Sequence, residues 1–401
     1  MRYTLAIAFA IVVGLIPVTA AEAFLDKTDL FEAGKDGYTL YRIPGIVVTA
    51  KGTVLAYCEA RKHTGNDWDE IDIMLRRSTD GGKTWEARRK LVTLKEKVAK
   101  NPVAIKQKLG KEGEVTINNP VAIADRKEGV VHFLYCVEYA RCFYMRSDDD
   151  GKTFGKPVEI TAALEKFRRD YDWKAMATGP GHGIQLKSGR LLVPVWLSTG
   201  EGGGAHRPSC MSVIYSDDGG KTWQRGDIVA TDPKPKNPNE TTAIQLHDGS
   251  VLLNIRHESE PRQRAVSISA DGATKWSALR FEKALPDPVC FGSLVRLAEQ
   301  PAYRKNRILF SNPDNAVDRQ RKNVTVKLSY DEGESWPVSR SIEAGVSGYS
   351  DLAVAPDGTI YCFYERGSLD KNHFRTKTLC VARFNLEWLS DGKDRLDRVE
   401  K

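Results

Sequence analysis

The chain has 401 residues, 41% of them hydrophobic, and carries 60 Lys and Arg against 53 Asp and Glu, a net charge of +7. The basic residues are scattered among acidic ones and no nucleic-acid signature occurs, which excludes DNA and RNA as partners and leaves a mild bias towards anionic ligands. No tract is of low complexity, and the composition is that of a chain able to bury a sizeable core.

Taken in order, the chain opens with Arg2, an apolar stretch from Leu5 to Ile16 and a small-residue site at Val18-Thr19-Ala20 or Ala21-Glu22-Ala23. That is the pattern of a secretory signal peptide, and its apolar part is shorter than the roughly 18 residues of a membrane span. The expectation is a leader over residues 1–20, with cleavage as late as residue 23 as the alternative. The mature chain would then be secreted or periplasmic, without stable membrane insertion.

From Tyr41 to Trp85 the chain packs YRIP, EARK, an acidic loop and the turn STDGGKTW into one short run. The turn follows the form S-x-D-x-G-x-x-W and recurs as SDDDGKTF from Ser147, SDDGGKTW from Ser216, SYDEGESW from Ser329 and a weaker SADGATKW from Ser269. Each copy follows alternating, strand-like sequence, so each is read as a hairpin turn. In such a turn Asp accepts bonds from backbone amides and Gly takes positive φ. Five equivalent acids point to structure rather than to catalysis.

A period above 50 residues built from short strands predicts an all-β fold, a six-bladed β-propeller of four-stranded antiparallel sheets forming a single domain over residues 24–401. The strand near Phe24 to Tyr41 is expected to pair with those near Ile360 to Phe384, and the best helical stretch is Ala162 to Tyr171. Seven cysteines, at 58, 136, 142, 210, 290, 362 and 380, form no C-x-x-C pair and read mostly as buried small hydrophobes. No His or Cys cluster has metal-ligand spacing, so neither a metal nor another cofactor is expected.

Beyond the turns, YRIP at Tyr41 to Pro44, EARK at Glu59 to Lys62, NE at Asn239-Glu240, NIR at Asn254 to Arg256, SNP with Arg321 downstream, GYSDL at Gly348 to Leu352 and YERG at Tyr364 to Gly367 stand in a fixed order. Together with the turns they resemble the bacterial-type exo-sialidase (neuraminidase) family with Asp-box (BNR) repeats, over nearly the whole mature chain. The resemblance implies hydrolysis of terminal sialic acid from sialylated glycans, glycoproteins or glycolipids, with retention, through a tyrosine-linked covalent intermediate.

It also implies roles. Arg42, Arg256 and Arg321 would clamp the sugar carboxylate, a task suited to a guanidinium fork that stays charged at any pH, and Glu365 would orient Arg42. Tyr349 would be the nucleophile, because a carboxylate in that place would be repelled by the substrate's own, and Glu240 its base. Asp67 would be the acid, on an exposed or mobile loop, with Asp69, Glu70 and Asp72 as rivals. Arg61 would face ring hydroxyls and Asn119 would line the pocket. Arg319 rivals Arg321 as third arginine. A trans-sialidase and a non-catalytic sialoglycan-binding propeller are the alternative functions.

Overall fold

The computed structural model describes residues 22–94, 96–202, 204–229 and 235–399; the expected leader lies outside them. The fold is all-β, and successive strands mostly pair with their sequence neighbours in antiparallel hairpins. Strands such as Val54–Arg61 and Leu191–Ser198 are buried at every residue, because each sheet is covered on both faces by the sheets beside it. Their sequences therefore read as apolar runs rather than as alternation. Three of the outermost strands, Arg89–Lys90, Val158–Glu159 and Gln224–Arg225, are two residues long, a length that leaves little edge for unwanted pairing. All seven cysteines are buried.

The hydrogen-bonded strands form five sheets, one of seven strands, where six of four strands were expected. The seven-stranded sheet runs through one long strand, Val338–Val354, whose first half pairs with Lys322–Ser329 and whose second half pairs with Ile360–Arg366, with register shifts on the way. The expected terminal pairing is present, since Leu25–Glu32 lies antiparallel to Thr378–Phe384 as the last strand of that sheet. The predicted helical stretch is a short α-helix, Thr161–Glu165, running into a 3-10 turn at Lys166–Arg169. Among the described residues no helix is long and apolar enough to cross a membrane.

Inner strands of different sheets meet on Asp351, which is fully buried. Its Oδ2 accepts the Ile46 amide at 2.8 Å, and its Oδ1 accepts Ser293 Oγ at 2.8 Å and faces His182 Nδ1 at 2.8 Å. Removing one partner of such a buried, hydrogen-bonded pair costs about 3–5 kcal/mol. Asp351→Ala is therefore expected to lower the urea midpoint by a matching amount, read by tryptophan fluorescence.

The recurring turns repeat one hydrogen-bond set. In the first, Ser78 Oγ donates to Asp80 at 2.8 Å and accepts the Gly82 amide, and Asp80 accepts the Thr84 amide at 2.9 Å and Thr84 Oγ1 at 2.6 Å. Ser147, Ser216 and Ser329 head the same arrangement. The weak copy keeps it with threonine one place earlier: Thr274, not residue 275, bonds Asp271, and Lys275 takes φ +51° to restore the chain path.

These bonds favour the ionised acids, holding Asp149, Asp218 and Asp271 down to about 2. For Asp149 and Asp271 partial burial opposes the bonds and is outweighed. A depressed carboxylate contributes stability that is present above its unfolded pKa, roughly 3.9, and is lost as pH falls towards the folded value. Acid titration of the melting temperature should show a loss concentrated between about pH 4 and pH 2, shallower in Asp149→Asn.

Candidate active site

Three inner strands carry a break in register on the same face of the molecule, and each break aims a functional side chain. In Leu40–Val48 the register shifts between Arg42 and Gly45, with Ile43 at φ +58° before Pro44. A β-branched residue in that region is strained and persists only where its surroundings enforce it. The bulge turns Arg42 into the pocket. Gly45 permits it, because a Cβ there would lie 2.1 Å from the Tyr57 ring. The shift between Asn118 and Val121, with Asn119 at φ +50°, presents Asn119, and the shift between Ser347 and Ser350 presents Tyr349.

NE and NIR, 16 residues apart, face one another because Thr241–Gln245 pairs with Val251–Ile255 and the ladder continues past their ends. The Arg256 amide donates to Glu240 O at 3.1 Å and the Asn239 amide to Arg256 O at 3.0 Å. Their side chains form an ion pair, and Tyr349 completes the triangle: its Oη donates to Glu240 Oε1 at 2.7 Å and accepts Arg256 Nη1 at 3.0 Å. Burial pushes the Tyr349 phenol well above its ordinary pKa, Arg256 pulls it back and Glu240 pushes it up again. The resting group is a neutral phenol with its proton directed at a carboxylate.

Arg42 Nε donates to Glu365 Oε1 at 2.9 Å and Nη2 to Oε2 at 3.3 Å, a two-pronged pair, and Glu365 Oε2 also accepts the Tyr349 amide at 3.2 Å. Glycine at 348 is required here, since a Cβ would sit 2.4 Å from Glu365 Oε2. Arg321 Nη2 donates to Val289 O at 3.0 Å, and its guanidinium lies over the rings of Tyr349 and Phe374, each at 4.8 Å. Among the described residues Arg321 makes no ion pair, and the Nε atoms of Arg256 and Arg321 are buried without an acceptor. Arg321 is buried and lines the pocket whereas Arg319 is exposed in the loop before Lys322–Ser329.

On the opposite wall, Arg61 donates to Glu59 Oε2 at 2.7 and 3.1 Å and to Asp67 Oδ1 at 2.9 Å. Burial raises the Glu59 pKa against the pull of Arg61. Asp67 has a half-exposed side chain, 47%, and desolvation is outweighed by Arg61, His206 and Arg42, which hold its carboxyl well below the usual range. Its three rivals are engaged elsewhere. Asp69 accepts the His63 and Gly65 amides, Glu70 pairs with Lys62, and Asp72 takes Lys90 and Tyr38.

The pocket so enclosed is about 260 Å³ and is lined by Arg42, Arg61, Asp67, Asn119, Glu240, Arg256, Arg321 and Tyr349 together. Glu365 lies just beneath, behind Arg42. Tyr139, Trp196, His206, Arg207 and Phe374 complete the wall. His206 stands among the rings of Tyr139, Trp196 and Trp68, at centroid distances of 4.8, 5.1 and 5.6 Å. These side chains escaped sequence reasoning because they come from the strand Leu191–Ser198 and from loops after three different strands, with no shared spacing. The glycine-rich run ahead of His206 was the one available signal.

The BNR repeat-like domain model matches residues 100–362, and the BNR/Asp-box repeat matches residues 76–87. A sialidase of Micromonospora viridifaciens is 30% identical over 425 residues, covering 96% of this chain and 59% of its own, and one of Bacteroides fragilis (strain YCH46) is 30% identical over 360 residues, covering 83% and 61%. The chain thus spans about three-fifths of the length of these curated relatives. Among solved structures, the Hadza microbial sialidase Hz136 superposes with a TM-score of 0.73 at 26% identity, covering 90% of this chain and 69% of that one. With matches of this extent, and with the boxes and the arginine-lined pocket in place, the chain belongs to the sialidase family with BNR/Asp-box repeats.

Proposed function

We propose that the protein is an exo-α-sialidase that releases terminal sialic acid from sialylated glycans with retention of configuration, through a covalent bond to Tyr349. The observation that carries this reading is the Tyr349–Glu240–Arg256 triangle set among arginines of which one, Arg321, has no carboxylate partner. The scaffold is a single six-bladed propeller over residues 24–401, the long strand Val338–Val354 passing from the fifth four-stranded blade to the sixth. The leader over residues 1–20 makes it secreted or periplasmic.

A bound sugar carboxylate takes the charge-assisted hydrogen bonds of Arg42, Arg256 and Arg321. Tyr349 Oη forms a bond to the anomeric carbon while its proton passes to Glu240, and the bond to the leaving oxygen breaks as Asp67 protonates it. Asp67, now a carboxylate, takes a proton from water as the water oxygen bonds the anomeric carbon and displaces Tyr349, and the departing Tyr349 oxygen recovers its proton from Glu240. A phenol needs this help because its pKa near 10 makes it a weak nucleophile at neutral pH. In the free site Asp67 is ionised. Substrate entry moves it towards protonation, since the ligand's charge offsets the arginines and the sugar displaces water.

Tyr349→Phe should abolish turnover of α-sialyl-lactose with the fold intact by circular dichroism; wild-type protein that binds the glycan without cleaving it would instead indicate a lectin. Product analysis with added acceptor sugar separates hydrolysis from transfer. Arg256→Ala removes a charged hydrogen bond worth up to about 3 kcal/mol, so kcat/KM should fall on the order of a hundredfold; an unchanged value would remove it from the clamp. On α-sialyl-lactose kcat should decline as pH rises through the bound-state pKa of Asp67. That limb should be absent for an aryl sialoside whose phenol leaves without a proton.

A further inference from the structure

The loop carrying Asp67 is pegged by a buried lysine outside every motif described above. Lys100 is 3% exposed, in the irregular segment between the first two sheets. Its Nζ donates to Trp68 O at 2.8 Å, to Thr116 Oγ1 at 2.8 Å and to Glu114 O at 3.2 Å, and lies 3.3 Å from Glu138 Oε1. A buried ammonium is tolerated only when its protons are all placed, and here three donors meet four acceptors.

Three of those acceptors, on Trp68, Thr116 and Glu138, lead to walls of the pocket. Trp68 follows Asp67 in the chain, is 2% exposed, and packs its indole on Tyr139 at 4.5 Å. Thr116 Oγ1 donates on to Asp69 O at 2.8 Å, so both residues after Asp67 have their carbonyls held. Glu138 accepts the Thr116 amide at 2.6 Å and the Asn101 amide at 3.1 Å. It precedes pocket-lining Tyr139, and both residues take positive φ, 57° and 50°. The arrangement has no slack: a Cβ on Gly110 would fall 2.8 Å from Trp68 O and 2.4 Å from Lys100 Cε.

We infer that Lys100 is a positioning residue for the proton-transfer step, tying the Asp67 loop of the first sheet to the Glu138–Tyr139 turn of the second so that the acid stands ready without loop closure. The inference rests on Asp67 being the acid. Misplacing a catalytic group by an ångström costs up to about a hundredfold, and a misplaced acid matters only where the leaving group needs its proton.

The test compares α-sialyl-lactose with an aryl sialoside of acidic phenol, using the full chain. Lys100→Met should lower kcat/KM on the lactoside roughly tenfold or more while the aryl substrate stays within about threefold. Glu138→Gln, which keeps an acceptor for Lys100, should largely preserve the wild-type ratio. A folded Lys100→Met in which both substrates fall equally, or neither falls, overturns the role. If Lys100→Met does not fold, Thr116→Val, which removes the shared bridge to Asp69, is read by the same ratio; an unchanged ratio again overturns it. Asp67→Ala separates the two claims. A shifted ratio there with none in Lys100→Met defeats only the positioning role, and no shift in Asp67→Ala defeats the acid assignment beneath it.

Discussion

Everything at the pocket depends on a carboxylate that never touches it. Asp351 draws an amide from one sheet, a hydroxyl from a second and an imidazole from a third onto two oxygens, across sequence separations of 305, 58 and 169 residues. Inner strands of a radial fold have no continuous ladder between them, so their relative height is set by side-chain packing and a few cross-links such as Tyr57 Oη between Gly181 O and the Ala122 amide. A buried carboxyl group is intolerant of a missing donor, and that intolerance helps to fix the heights. Two residues earlier on the same strand stands Tyr349, whose reach to Glu240 is then a matter of geometry and not of chance.

Above this hub the charges are arranged in two opposed pairs of walls. Glu365 and Glu240 each hold one arginine and each also bonds Tyr349, one through its amide and the other through its hydroxyl. Glu59 holds Arg61, which in turn holds Asp67. The carboxylates are thus spent on orienting guanidinium groups, leaving Arg321 on the rings of Tyr349 and Phe374 as the cation a ligand anion meets without a competing carboxylate.

Much of this was legible in the chain. The turn chemistry of the boxes is local, so the hairpins could be read from eight residues at a time, and even the copy with a displaced threonine closes the same bonds. That Arg42, Arg256, Tyr349 and Glu240 come together at one pocket was legible because each sits in a short motif, and Gly45, just after YRIP, and Gly348, in GYSDL, are needed there for steric reasons. The choice between Arg321 and Arg319 was not. They lie two residues apart just before the strand Lys322–Ser329, and burial, which spacing does not encode there, separates them. Sheet number was not legible either: six sheets of four strands were expected and five sheets are present, because a strand as long as Val338–Val354 has no signature that separates it from two short ones. Tyr139, Trp196, His206 and Lys100 were invisible, since no motif or spacing ties them to their neighbours in space and nothing about a lone lysine announces burial.

The pairing of Leu25–Glu32 with Thr378–Phe384 bears on how the molecule comes to exist. Leu25–Glu32 is made long before its partner Thr378–Phe384, so its ladder stays open and its backbone donors wait while the intervening chain is synthesised. Closing so long a loop is slow in the manner of other high-contact-order topologies. Because Leu25–Glu32 is an outermost strand, bonded on one side only, this seam can open by peeling that strand from its single partner, and its hydrogen bonds are what tie the two ends of the described chain together.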